Sequence, residues 1–258
     1  MIRHALLGAI LLSLLGVQIA SASLILETYQ TMGGTGLGKV STILTFQNNG
    51  TEAGCVGLGG ATGLALLSDG SCSPGGDTKH GNSQTGLQPL SAAGITGTGA
   101  AGAAEFGMVF NPVQPGSSAG LDVSALIVAF FSSDGQTLLY ETTGALGCQT
   151  TAGGPITSAP CYLPPGGQGT GNSGFLVVLD AAQQADAVAA GAFSSVDNLI
   201  GVSAAAGSDA YPSAGGAETT FLVNANGTPP PDVPEPGTCL LIGSGMAFAG
   251  LARRLRIV

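Results

Sequence analysis

Leu121–Phe131 (LDVSALIVAFF), the polar turn Ser132–Gly135 and Gln136–Thr142 (QTLLYET) decide the fold class. Two runs rich in apolar, β-branched and aromatic residues, joined by a turn that ends in Asp134-Gly135, predict an antiparallel hairpin. Working outward, the same signature recurs in Leu24–Thr31, Lys39–Gln47 (KVSTILTFQ), Phe106–Phe110, Phe175–Leu179 (FLVVL), Asn198–Ala205 and Glu218–Val223 (ETTFLV). Asn48-Asn49-Gly50 closes the second of these with a turn signal. Asp180, with Gln183 three residues on, opens a short helix over Ala181–Ala190 in the manner of a capping box. Thr51–Ala104 and Gly144–Gly171 are dominated by small and turn-forming residues and read as loops, the former with short strands. About eight strands, one helix and no internal repeat predict a mainly β fold, an antiparallel β-sandwich of jelly-roll kind, over residues 23–226.

Composition narrows the function classes. Glycine supplies 44 of 258 residues, about 17% against the roughly 7% usual in proteins, while charged residues reach only 8% and tryptophan is absent. Six basic residues face 15 acidic ones, and between the termini only Lys39 and Lys79 are basic. A nucleic-acid partner is not expected of such a body.

Both ends read as addresses. Arg3 and His4, the apolar stretch Ala5–Leu15 and the small-residue end Ala20-Ser21-Ala22 are the three parts of a secretory signal peptide over residues 1–22, with cleavage after Ala22. At the other end, the proline linker Gly227–Asp232 leads into Val233-Pro234-Glu235-Pro236-Gly237. The uncharged run Thr238–Ala252 follows, a transmembrane helix of about 22 Å that is short for a hydrocarbon core of about 30 Å. Arg253, Arg254 and Arg256 then form a basic cluster that stays cytoplasmic. A plain single-pass anchor with a proline hinge would share the last two features.

The order Val-Pro-Glu-Pro, apolar run, arginine cluster over residues 233–258 resembles the PEP-CTERM sorting signal. Cys239 within the run and Leu255 between the arginines are minor departures. The resemblance implies processing by an exosortase, a membrane-embedded, transpeptidase-like cysteine enzyme of Gram-negative bacteria that make extracellular polysaccharide. It makes Pro234, Glu235 and Pro236 recognition residues for that enzyme. It also implies transient anchoring in the inner membrane, then placement at the cell surface or in the extracellular matrix.

Four of the five cysteines fall in the body, and after an export signal they read as disulfide partners. Cys55 with Cys72 and Cys148 with Cys161 are the simplest of the three possible pairings, each bridging a loop rich in small residues. No Cys-x-x-Cys or Cys/His spacing suggests a metal, and no cofactor is expected.

Several motifs look catalytic without the context that catalysis needs. Gly33–Val40 (GGTGLGKV) ends in Val where a phosphate-binding loop has a hydroxyl, and a strand follows instead of a helix. Gly116-Ser117-Ser118-Ala119-Gly120 matches G-x-S-x-G but precedes a strand, and His80 is the sole histidine of the body that could serve Ser118 as base. The aspartates at 69, 77, 122, 134, 180, 186, 197 and 209 are scattered, without a calcium-loop spacing. A non-enzymatic surface or matrix protein, structural or adhesive in a biofilm layer, is the resulting expectation. The alternative is a carbohydrate-binding module on the same scaffold, using Tyr140, Tyr162 or Tyr211 as an aromatic platform. A secreted hydrolase is the third reading.

Overall fold

The computed structural model describes residues 24–31, 40–80, 84–113, 120–142, 146–149, 156–157, 161–163 and 173–226. In chain order these form β1 (Leu24–Thr31), β2 (Ser41–Phe46), β3 (Asn49–Gly50), β4 (Glu52–Val56), β5 (Thr62–Gly63), β6 (Gln88–Pro89), α1 (Gly99–Glu105) and β7 (Phe106–Asn111). There follow β8 (Leu121–Phe131), β9 (Leu138–Glu141), β10 (Gly147–Gln149), β11 (Ile156–Thr157), β12 (Cys161–Leu163), β13 (Ser173–Leu179), α2 (Ala181–Ala189), β14 (Leu199–Ala206), β15 (Ser213–Ala214) and β16 (Glu218–Asn224).

The strands make two large sheets, and the small β3–β15 pair stands apart. The first runs β11-β10-β1-β13-β7-β16-β2. The second runs β12-β8-β14-β4-β5, with β9 added to β8 and β6 to β14. Pairing is antiparallel except between β1 and β10. The deciding hairpin forms as expected: Ala129 faces Glu141 and Phe130 faces Tyr140, with an irregularity before Phe131 meets Leu138. Its turn is held by Gly135 N–H donating to the Ser132 carbonyl at 2.8 Å and Gln136 N–H to Asp134 Oδ1 at 3.0 Å, and Gly135 takes the left-handed φ of 71°.

Both sheets contribute to one apolar core, so the arrangement is a two-layer β structure. At its centre Phe130 of the second sheet lies 5.2 Å from Phe106 of the first and 5.1 Å from Phe193, ring centre to ring centre. Phe46 and Phe110 pack 6.2 Å apart toward the other end. All five rings are fully buried. In a chain this poor in large side chains, each such ring removes a disproportionate share of apolar area from water.

Two expectations are corrected. There are two helices among the described residues, not one, because Gly99–Glu105 (GAAGAAE) is helical. Glycine at two positions hides its propensity, but tertiary contacts settle it: Gly99 N–H donates to the Phe193 carbonyl at 2.8 Å, and a Cβ on Gly102 would overlap the Gly97 carbonyl. β4, Glu-Ala-Gly-Cys-Val, is one of the short strands expected among the loops of residues 51–104. Its small residues weaken strand propensity, yet a Cβ on Gly54 would come within 2.8 Å of Thr78 Oγ1, so the spacing of the layers requires them. Lastly, the expected loop 144–171 contains the short strands β10, β11 and β12: β10 and β11 pair with each other, and β10 and β12 join the two sheets through β1 and β8.

The molecule has two distinct ends. At one, Leu24 faces Leu179, Asn224 faces Phe106 and Leu199 faces Phe131, with α1 entering β7 and α2 leaving β13. The body's C-terminal exit is fastened there: Ala225 N–H donates to the Glu105 carbonyl at 2.7 Å and Asn226 Nδ2 to the Ala104 carbonyl at 2.9 Å. At the opposite end, Glu218 faces Phe46, Thr31 faces Ser173, and Ala206 lies between Glu52 and Val123.

Replacing Phe130 with alanine removes the ring that joins both layers and is expected to cost about 3–5 kcal/mol. Leu67, 44% exposed, should lose no more than about 0.5 kcal/mol on the same change. Urea unfolding of the two variants checks this, and equal losses would contradict a core centred on Phe130.

Candidate functional site

Tyr162 and Tyr211 come together at the end opposite the helices, with ring centres 4.5 Å apart and planes inclined at 50°. They are 43% and 38% exposed, so this is a surface aromatic pair and not core packing. Each ring is placed by its own local cause. Tyr162 stands on β12 directly across from Asp122 of β8, and Gly120 lets it lie there, because a Cβ on Gly120 would overlap the Tyr162 ring and the Leu163 carbonyl. Tyr211 sits in the turn after β14. The Asp122 carboxylate accepts from Ser208 Oγ at 2.6 Å, and Ser208 Oγ accepts from Tyr211 N–H at 3.0 Å. Gly207 N–H donates to the Asp122 carbonyl at 2.7 Å, and Ser208 N–H to the Tyr211 carbonyl at 3.2 Å. Asp122 is nearly buried beneath this turn, whereas Asp209 beside it is exposed. The result is a surface pair of phenol rings beside the turn that Asp122 and Ser208 hold.

Tyr140 does not join them. Its ring packs 6.0 Å from Phe130, and burial, with smaller contributions from Asp186 and Asp180, pushes its phenol up to about 12.

A second polar cluster lies at the same end. Glu52 and Glu218 are almost wholly buried and hydrogen-bonded to each other. Glu52 Oε2 also accepts from Asn48 N–H at 2.7 Å. Asp77 accepts from Ala53 N–H at 3.0 Å and Asn48 Nδ2 at 2.9 Å. Burial is the main cause that raises the Glu52 carboxyl above its usual range; the negative charge of Asp77 adds to it, and hydrogen bonds from Glu218, Asn48 and Ser213 oppose it. Two carboxyl groups in contact and closed to solvent leave no space for a glycoside, for which a separation of about 5–9.5 Å is needed.

Cys55 and Cys72 form the expected disulfide, 17 residues apart. In the chain-entropy model a loop of that length gains about 3 kcal/mol from closure. Cys161 is buried and disulfide-bonded as well. The expected partner, Cys148, lies on β10, whose side chains fall outside the described residues. His80 is exposed in its loop, with Nδ1 3.5 Å from Thr62 Oγ1. Among the described residues, no group of three or more His, Cys, Asp or Glu could hold a metal ion, and no helix is long and apolar enough to cross a membrane. Gly33–Lys39, Ser118, the signal peptide 1–22, the linker 227–232, Pro234, Glu235, Pro236, the helix expected at 238–252 and Arg253, Arg254 and Arg256 lie outside the described residues.

The sequence reading named Tyr162 and Tyr211 separately and missed Glu52 and Glu218. A usable signal existed for the glutamates: in a chain with 8% charged residues, a carboxylate directly preceding an apolar run, as in Glu218-Thr-Thr-Phe-Leu-Val, marks a charge carried into the sheet.

Residues 232–256 match the family model of the PEP-CTERM protein-sorting motif. The chain thus carries the signal of exosortase-processed proteins that are exported to the cell surface or beyond. No curated protein and no solved structure matches the chain.

Glu52→Gln tests the buried carboxyl. Because the folded state holds this proton more tightly than the unfolded chain, the stability Glu52 contributes is fully present below its unfolded range and is lost as pH rises through the raised value. The variant should therefore match the native chain near about pH 4 and exceed it increasingly toward neutrality. Thermal melting across pH reads this out; parallel stability curves would contradict it.

Proposed function

We propose that the chain is a non-enzymatic surface or matrix protein whose tail is a delivery signal. Residues 1–22 direct export and are removed, the run 238–252 with its arginines holds the body at the inner membrane, and an exosortase reads Pro234-Glu235-Pro236 and cleaves. The released body then takes a structural or adhesive place in the polysaccharide layer outside a Gram-negative cell.

The observation that carries this reading is the motif match over residues 232–256. Three features support it. The disulfide between Cys55 and Cys72 suits an oxidising compartment. The body is acidic and low in charge density, with an excess of carboxylates that keeps copies apart in solution. The chain leaves the body at Asn226, and eight residues onward lies Pro234, which at no more than about 3.5 Å per residue keeps the processing site close to the helical end. A carbohydrate-binding role is the second reading, favoured by the exposed tyrosine pair.

Intact mass spectrometry of the protein recovered from outside the cell tests the processing. The expected species begins at Ser23, ends between Val233 and Gly237 and has four oxidised thiols, with Cys148 joined to Cys161. A mature form that keeps Val258 would contradict the reading.

A further inference from the structure

We propose that Tyr162 and Tyr211 form a stacking site for an uncharged hexopyranose polysaccharide, placed at the end of the body that points away from the membrane during anchoring. The proposal rests on the delivery reading only for that placement, since binding is a property of the body.

Four observations converge. The rings are 4.5 Å apart and about two-fifths exposed, an aromatic surface that the fold leaves open to solvent. The surface is built in advance: β12 pairing with β8 sets Tyr162 over the bare backbone of Gly120, and the hydrogen-bonded chain from Asp122 through Ser208 holds the backbone that carries Tyr211. A ligand therefore meets rings that need little further ordering. The pair carries two phenol hydroxyls, and Asp209, two residues before Tyr211, is exposed. An aromatic face with a few convergent hydrogen-bonding groups matches a pyranose ring, which has apolar C–H faces and a perimeter of hydroxyls. Charge selects among sugars. With 15 acidic against 6 basic residues, and the arginines confined to the termini, the body repels uronate- or sulfate-bearing chains.

The placement follows from topology. The C-terminal exit follows β16 of the first sheet and is fastened to α1 through Ala225 and Asn226, whereas Tyr211 follows β14 of the second sheet beyond Ala206, at the opposite end of the body. A body tethered by its C-terminus thus holds its helices toward the bilayer and its tyrosines toward the surroundings.

The test uses the purified mature protein with galactomannan as the uncharged probe and alginate as the acidic one. Affinity electrophoresis should show retardation by galactomannan and none by alginate. Tyr162→Ala and Tyr211→Ala should each weaken retardation by about tenfold, with Tyr140→Phe close to native. Nitration mapping of the unaltered protein guards against misfolded variants: galactomannan should protect Tyr162 and Tyr211 and leave Tyr140 unchanged. Retardation by alginate alone, by neither probe, or equally in the alanine variants would overturn the proposal, as would nitration of both tyrosines unaffected by galactomannan. Failure here with a correctly trimmed tail would leave the delivery reading standing; an untrimmed tail with intact binding would remove the placement alone.

Discussion

Burial of a small number of large apolar side chains between two sheets holds this protein together. Phe106, Phe130 and Phe193 meet where both layers and the helical end converge. Most of the chain's remaining residues are too small to fill such a space, and its charges are too few to brace the surface with ion-pair networks. Glycine and alanine serve the same constraint from the other side, because they let the backbones approach. Gly54 passes within what would be 2.8 Å of Thr78 Oγ1, and Gly102 crosses directly over Gly97. The abundance of glycine in this chain therefore includes packing positions inside elements, together with true turns such as Gly135.

What could be read from the sequence was what large side chains announce. Eight runs of β-branched and aromatic residues correspond to eight of the longer strands, and Leu24–Thr31 and Leu121–Phe131 agree residue for residue. The cap at Asp180 is also local chemistry: its carboxylate accepts from Gln183 N–H at 2.7 Å. α1 escaped because its residues express no local preference, and its conformation is set by contacts such as that of Gly99 with Phe193. The short strands β10 to β12 escaped because a two- or three-residue strand exists only through its partner.

The candidate site was half legible. The scarcity of aromatics made every tyrosine worth naming, and Tyr162 and Tyr211 were among them. Their meeting depends on β12 pairing with the start of β8 and on Asp122 drawing in the turn after β14, neither of which leaves a local trace. The Cys55–Cys72 bridge was accessible because loop closure between near neighbours is the simplest pairing. The buried glutamates were not, because a carboxylate inside a sheet contradicts the ordinary expectation for charge.

The two ends of the body differ: one carries the exit toward the tail, the other an exposed aromatic pair, and the phenylalanine core lies between them. The central claim is that the tail is read by other machinery and contributes nothing to the body it delivers. Changing Pro234, Glu235 and Pro236 together to alanine, in cells that contain an exosortase, tests it most directly. Fractionation should then find a protein that begins at Ser23 and keeps Val258, retained in the membrane with its Cys55–Cys72 disulfide intact. Release of the altered protein at the native rate and with the native mass would contradict the account.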